Sequence, residues 1–109
     1  MNSDTLAPLL FPDAVQGVIY VEDDGVGTSV LIPEYANTGT GDKIELFKGS
    51  EVEVIHLESD TQFPISSHIP QGKLLEWLDK YIVFYYTVTQ DTGNVTPSEQ
   101  QTLFFKKKR

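Results

Sequence analysis

Glu22, Asp23 and Asp24 stand side by side ahead of Gly25, and they are the chain's best candidate for metal chemistry. Adjacent carboxylates on a turn supply two or three hard oxygens of the kind Ca²⁺ takes. Asp42, Asp60 or Asp91 would complete such a site if loops meet at one end of the molecule. The Asp-x-Asp-x-Asp-Gly pattern of a calcium loop is missing. The plainer reading of the same three residues is a solvated acidic turn. His56 and His68 lie at no metal-ligand spacing from each other, and there is no Cys to join them. Ser66, Ser67 and His68 lack a nucleophile-elbow context. No carboxylate pair is singled out for glycoside hydrolysis. No catalytic residue is assigned, and no enzyme is expected.

Binding residues are easier to nominate. Phe47, Tyr81 and Tyr85 fall on the outer sides of their strands by alternation. Exposed rings on a sheet stack on sugars or anchor a protein partner, or else pack against loops or a neighbouring domain. Asn37, Thr38 and Thr40 belong to a loop of turn formers, Asn37 to Asp42, that presents polar groups. Asn94-Val95-Thr96 matches a glycosylation triplet but reads as part of a turn.

These residues need strands to hold them. Residues 81 to 88 alternate: Ile82, Phe84, Tyr86 and Val88 on one side, Tyr81, Val83, Tyr85 and Thr87 on the other. The even positions are expected inside, with the Tyr86 hydroxyl bonded to a loop. Gly93-Asn94 is read as the turn to a last strand. Earlier strands are expected at 17–21, 28–32, 43–48, 51–57 and 61–69, with Pro64 marking an edge or bulge. Along 51–57, Val52, Val54 and His56 share one side. Leu9, Leu10 and Phe11, between two prolines, are expected to tuck under the first sheet. The one helical segment is 71–80, with Leu74, Leu75 and Leu78 on its buried side and Trp77 capping the core.

Charge narrows the partners. The chain carries sixteen acidic against eight basic side chains, a net −8. Half of the basic residues are the last four, Lys106 to Arg109. An acidic body repels phosphate backbones, so no nucleic-acid partner is expected. The basic tail reads as a frayed end, or as a contact for an acidic partner or neighbouring domain. No stretch approaches the roughly 20 apolar residues of a membrane span. No signal peptide is visible. The lack of Cys fits the cytoplasm and exported bacterial proteins alike.

A set of short signatures occurs in order: Ile32-Pro33-Glu34-Tyr35, Gly41-Asp42-Lys43-Ile44-Glu45-Leu46, Ile69-Pro70, a leucine-rich turn, Val83-Phe84-Tyr85-Tyr86-Thr87-Val88, Gly93-Asn94 and Ser98. This resembles the Ig-like repeat domains of large bacterial surface and adhesin-type proteins, over about Leu9 to Phe105. The resemblance implies a spacer, stalk or ligand-presenting module with no catalytic residues, at the cell surface or secreted as part of a larger protein. Such repeats usually carry a Trp where this chain has Lys48, and they usually occur in tandem.

The expectation is therefore one all-β domain over 1–109, with 1–8 and 106–109 as frayed ends. Its architecture is an Ig-like β-sandwich of about seven antiparallel strands with one short helix. Its function is structural or adhesive, with a protein or glycan ligand or neighbouring Ig-like domains as partners. A carbohydrate-binding module using the aromatics, and a stand-alone accessory protein pairing through a strand edge, are the alternatives.

Overall fold

The computed structural model describes residues 5–36 and 38–108. Its elements are β1 (Val18–Val21), β2 (Thr28–Ile32), β3 (Lys43–Lys48), β4 (Glu51–His56), β5 (Ile65–Ile69), α1 (Gln71–Glu76), β6 (Tyr81–Thr89), β7 (Val95–Pro97) and β8 (Gln101–Lys107). The expected all-β class holds. One sheet has six strands in the order β1-β8-β6-β3-β4, with β7 also on β6, and the other pairs β2 with β5.

Alternation sets which side each strand buries. Val30 and Ile32, Ile44 and Leu46, Phe84, Tyr86 and Val88, and Leu103 and Phe105 are all buried. They come from both sheets and join one core, together with Leu9, Ile69 and Trp77. Each such large side chain contributes roughly 1.5–3 kcal/mol by leaving water. The even positions of β6 are inside, as the pattern predicts.

Several local expectations change. The strands are not all antiparallel: β1 runs parallel to β8, with Val18 opposite Phe104 and Val21 opposite Lys107. A parallel pair needs a long crossover, and here most of the chain lies between the two strands. The last strand is broken in two. Thr87 faces Pro97, but Phe84 faces Gln101. Three steps on β6 thus match four on the partner, which is a β-bulge. Ser98 sits in it, buried, donating its N–H to the Tyr86 carbonyl at 2.7 Å. Its hydroxyl accepts the Tyr86 N–H at 2.9 Å, where a carbonyl would otherwise stand.

The turn before β7 is Asp91-Thr92-Gly93. Gly93 donates to the Gln90 carbonyl at 2.8 Å, and Gln90 donates to the Asn94 carbonyl at 2.8 Å. Gly93 alone takes the left-handed conformation, with φ of 95°. A three-residue loop with Gly third replaces the expected Gly-Asn pair. Gly27 has a different reason to be Gly: a Cβ there would stand 2.2 Å from the Ile69 carbonyl oxygen.

The helix stops at Glu76, short of the expected Lys80. Asp79 has a φ of 64°, and its N–H donates to the Phe105 carbonyl at 2.7 Å, tying the chain to β8. Leu74 is buried but Leu75 is 43% exposed. At about 100° per residue, Trp77 shares the inner side with Leu74 and Leu75 turns away. Trp77 packs edge-on against Phe84, with ring centroids 5.6 Å apart.

Neither described end is loose. Tyr86 donates its hydroxyl to the Ala7 carbonyl at 2.8 Å, and Leu6 bonds to Pro97 and Glu99. Leu9 is buried and Phe11 packs edge-on against Phe84, whereas Leu10 is exposed. Lys106 and Lys107, expected to fray, lie in β8.

Lys48 points inward, where the resemblance leads one to expect a Trp. Its Nζ donates to Glu53 at 3.1 Å and to Ser67 at 3.4 Å, and Ser67 donates to Glu53 at 2.6 Å. β3, β4 and β5 each supply one member, so this polar triad links the two sheets. The Ser67 hydroxyl, then Lys48, hold the Glu53 carboxyl below its usual range against the opposing effect of burial.

Candidate functional site

The outward side of the six-stranded sheet follows from the same alternation. β1 gives Val18 and Tyr20, and β3 gives Lys43, Glu45 and Phe47. β4 gives Val52, Val54 and His56, and β6 gives Tyr81, Val83, Tyr85, Thr87 and Thr89. Val95, Pro97, Thr102, Phe104 and Lys106 complete it from β7 and β8. Glu45 is its one carboxylate, out of sixteen in the chain. Two lysines outweigh it, so the face is slightly positive on a chain of net charge −8.

The register groups the apolar members. Phe47 stands opposite both Val52 and Tyr85, and Phe104 stands opposite both Tyr81 and Val18. The Phe47 and Tyr85 rings stack with centroids 4.5 Å apart and planes 8° from parallel. Tyr81 and Phe104 meet at 4.7 Å, tilted by 47°. Tyr81 is 73% exposed, Val52 49% and Val54 48%. Tyr81 and Tyr85 are thus on one face, as expected, with Phe47. The sequence reading missed Val52, Val54 and Phe104 as members. Their face was resolvable only once β4 and β8 had been registered against their neighbours.

The polar nominees lie elsewhere. Asn37 falls outside the described residues. Thr38 is half-buried and donates its hydroxyl to the Tyr35 carbonyl, while Thr40 is exposed. Buried Asp42 organises this loop. It accepts the Tyr35 hydroxyl at 2.8 Å and the Gly39 N–H at 3.1 Å. Burial, then the Asp42 carboxylate, raises the Tyr35 hydroxyl far above its usual range. Burial pushes the Tyr86 hydroxyl up to about 12.

The acidic turn meets the basic tail. The Lys108 ammonium lies 2.9 Å from Glu22, and that of Lys107 lies 3.3 Å from Asp23. The Lys108 N–H also donates to the Val21 carbonyl at 2.8 Å. Lys107 and Lys108 thus pair with the chain's own acidic turn. Asp24 lines an adjoining groove of about 590 Å³, shared with Asp13, Val26, Gln71 and Lys108. Calcium takes roughly six to eight oxygens. Among the described residues, no three His, Cys, Asp or Glu side chains are grouped to hold a metal ion. No helix is long and apolar enough to cross a membrane, among the same residues. No family model, no curated protein and no solved structure matches this chain.

Proposed function

We propose that this chain is a non-enzymatic binding module, built as an Ig-like β-sandwich, that engages a protein partner through the outer face of its six-stranded sheet. The sheet order, the shared core and the polar triad between β3, β4 and β5 support the sandwich reading. The sequence signatures support a place among the adhesive or spacer modules of bacterial surface or secreted proteins. The observation that carries the binding role is the composition of the outer face: five aromatics and five half-exposed or exposed valines, with a single carboxylate in a strongly acidic chain. Interface cores are depleted in charged residues and enriched in aromatics, and Tyr is a frequent anchor.

The test pairs a screen on protein and glycan arrays with two face variants, Tyr81→Ala and Val83→Glu. The expected result is a protein ligand whose affinity falls about tenfold or more in either variant, the usual scale for a central anchor. Unchanged binding by correctly folded variants would remove the face from the mechanism. A glycan hit lost in Tyr81→Ala would favour the carbohydrate reading. Tyr81, with its ring largely exposed, is the observation on which that reading rests. Tyr85 suits it less, because Phe47 already covers one side of its ring.

A further inference from the structure

β4 is where the six-stranded sheet stops on one side. Leu57, just past it, bonds toward β3: its N–H donates to Asp42 at 2.9 Å and its carbonyl accepts from Gly41 at 3.1 Å. An antiparallel ladder alternates, so Glu51, Glu53 and Ile55 also bond toward β3. The N–H and C=O groups of Val52, Val54 and His56 then point to the open side.

Open edges are normally blunted by Pro, Lys, bulges or shortness. Two other edge strands among the described residues are. β5 lies between Pro64 and Pro70, and β1 has four residues and runs into the ion-paired turn. β4 has six residues and no Pro, Gly or Lys. Both of its carboxylates are already neutralised, Glu51 by Lys73 at 2.5 Å and Glu53 by Lys48 at 3.1 Å. Nothing in the strand resists another strand.

The sequence of β4 fits itself. A two-fold axis at Val54 sets Val54 against Val54, Val52 against His56 and Glu53 against Ile55. Every outward backbone group then meets an outward group, giving about six hydrogen bonds between copies, two per facing pair. Moving the axis to Glu53 would set Glu53 against Glu53, and like charges directly opposite are unfavourable. An axis between residues would set outward groups against inward ones. Isologous interfaces need this self-complementarity. We infer that β4 is a homodimer edge: it pairs antiparallel with β4 of a second copy about Val54, and the six-stranded sheets of the two copies become one.

This pairing also covers the half-exposed Val52 and Val54 beside Phe47. It does not depend on the proposed ligand face, since Tyr81 and Val83 lie on β6, two strands away. An edge-only contact sits at the small end of specific interfaces, so the dimer is expected at high protein concentration. Two bodies of like charge repel, so added salt should strengthen it.

The experiment is sedimentation of the wild-type chain from micromolar to millimolar, alongside Val54→Lys. Wild type should pass from monomer to dimer, and folded Val54→Lys should stay monomeric. Because the chain has no Cys, single cysteines report the register cleanly. Val54→Cys should form a disulfide dimer on mild oxidation, since facing residues lie about 5.5 Å apart. Val52→Cys should not, because its own copy lies about four residues away along the strand. A wild type monomeric throughout overturns the inference and leaves the edge to a strand from another protein. Equal cross-linking at both positions overturns the register.

Discussion

The six-stranded sheet has two apolar faces, and they are apolar for different reasons. The inner face holds Ile44, Leu46, Phe84, Tyr86, Val88, Leu103 and Phe105, all buried. Where it must take polar groups, it satisfies them: Ser98 serves the Tyr86 backbone, and Ser67, Glu53 and Lys48 serve one another. The outer face holds Phe47, Val52, Val54, Tyr81, Val83, Tyr85 and Phe104, and none of these is fully buried among the described residues. Strand chemistry alone does not separate the two. What separates them is burial: Phe84 and Phe105 are fully buried, whereas Tyr81 is 73% exposed although it meets Phe104, and the proposed binding role rests on that difference.

The largest test of this contrast is truncation on either side of one strand. Phe84→Ala removes a fully buried ring and should destabilise the fold by about 3–5 kcal/mol. Tyr81→Ala, three residues earlier, should change stability by only about 0.5 kcal/mol or less. Denaturant melts of both variants measure the two values. A cost for Tyr81→Ala as large as that for Phe84→Ala would mean that the outer face is a structural layer, which would remove the case for a binding surface.

Alkaline pH sharpens the same contrast through the inner hydroxyls. Burial raises the Tyr86 hydroxyl from about 10 to about 12, and the buried Tyr35 hydroxyl is raised further. A group raised in the folded state contributes stability that is present below its unfolded value and lost as pH rises through its folded value. Stability should therefore fall from about pH 10 upward. Tyr86→Phe should cost about 1 kcal/mol near neutral pH, for the lost bond to Ala7. It should also make the alkaline decline shallower, which thermal melts across the range would show. An equal decline in the variant would assign the effect to Tyr35.

Much of the fold was legible because several strands carry unambiguous periodicity. Thr28–Ile32 and Lys43–Lys48 stand at the bounds the pattern gives, and the even side of β6 is the buried one. β4 shows where the signal fails. Its more apolar side, Val52 and Val54, faces out, because Glu53 is held inside by Lys48 and Ser67, residues that lie on other strands. No local pattern encodes that triad. The bulge at Ser98 is equally silent, since it exists only as a register slip against β6. Of the candidate site, Tyr81 and Tyr85 were readable from alternation. The outer face as a whole was not, because its scarcity of carboxylates appears only when six strands are laid side by side.

The acidic turn was legible as charge but not as a contact. Glu22 and Lys108 are 86 residues apart in the chain, and only the parallel pairing of β1 with β8 brings them together. These pairs are exposed on both sides, so the expected effect is the smallest. Lys107→Ala with Lys108→Ala should lower the melting temperature only slightly at low salt, and by less still at high salt. The backbone bond from residue 108 to Val21 survives the double substitution, so β8 should keep its length. Melting temperatures at two ionic strengths provide the check. A loss that persists at high salt would point to the lysine stems packing on β1, and a gain in stability on removing the lysines would mean that the turn holds its carboxylates better without them. The same melts with Ca²⁺ added address the acidic turn: a metal that binds the folded state alone raises its stability. A rise seen only in the lysine variant would mean that the ammonium groups occupy the positions a cation would take.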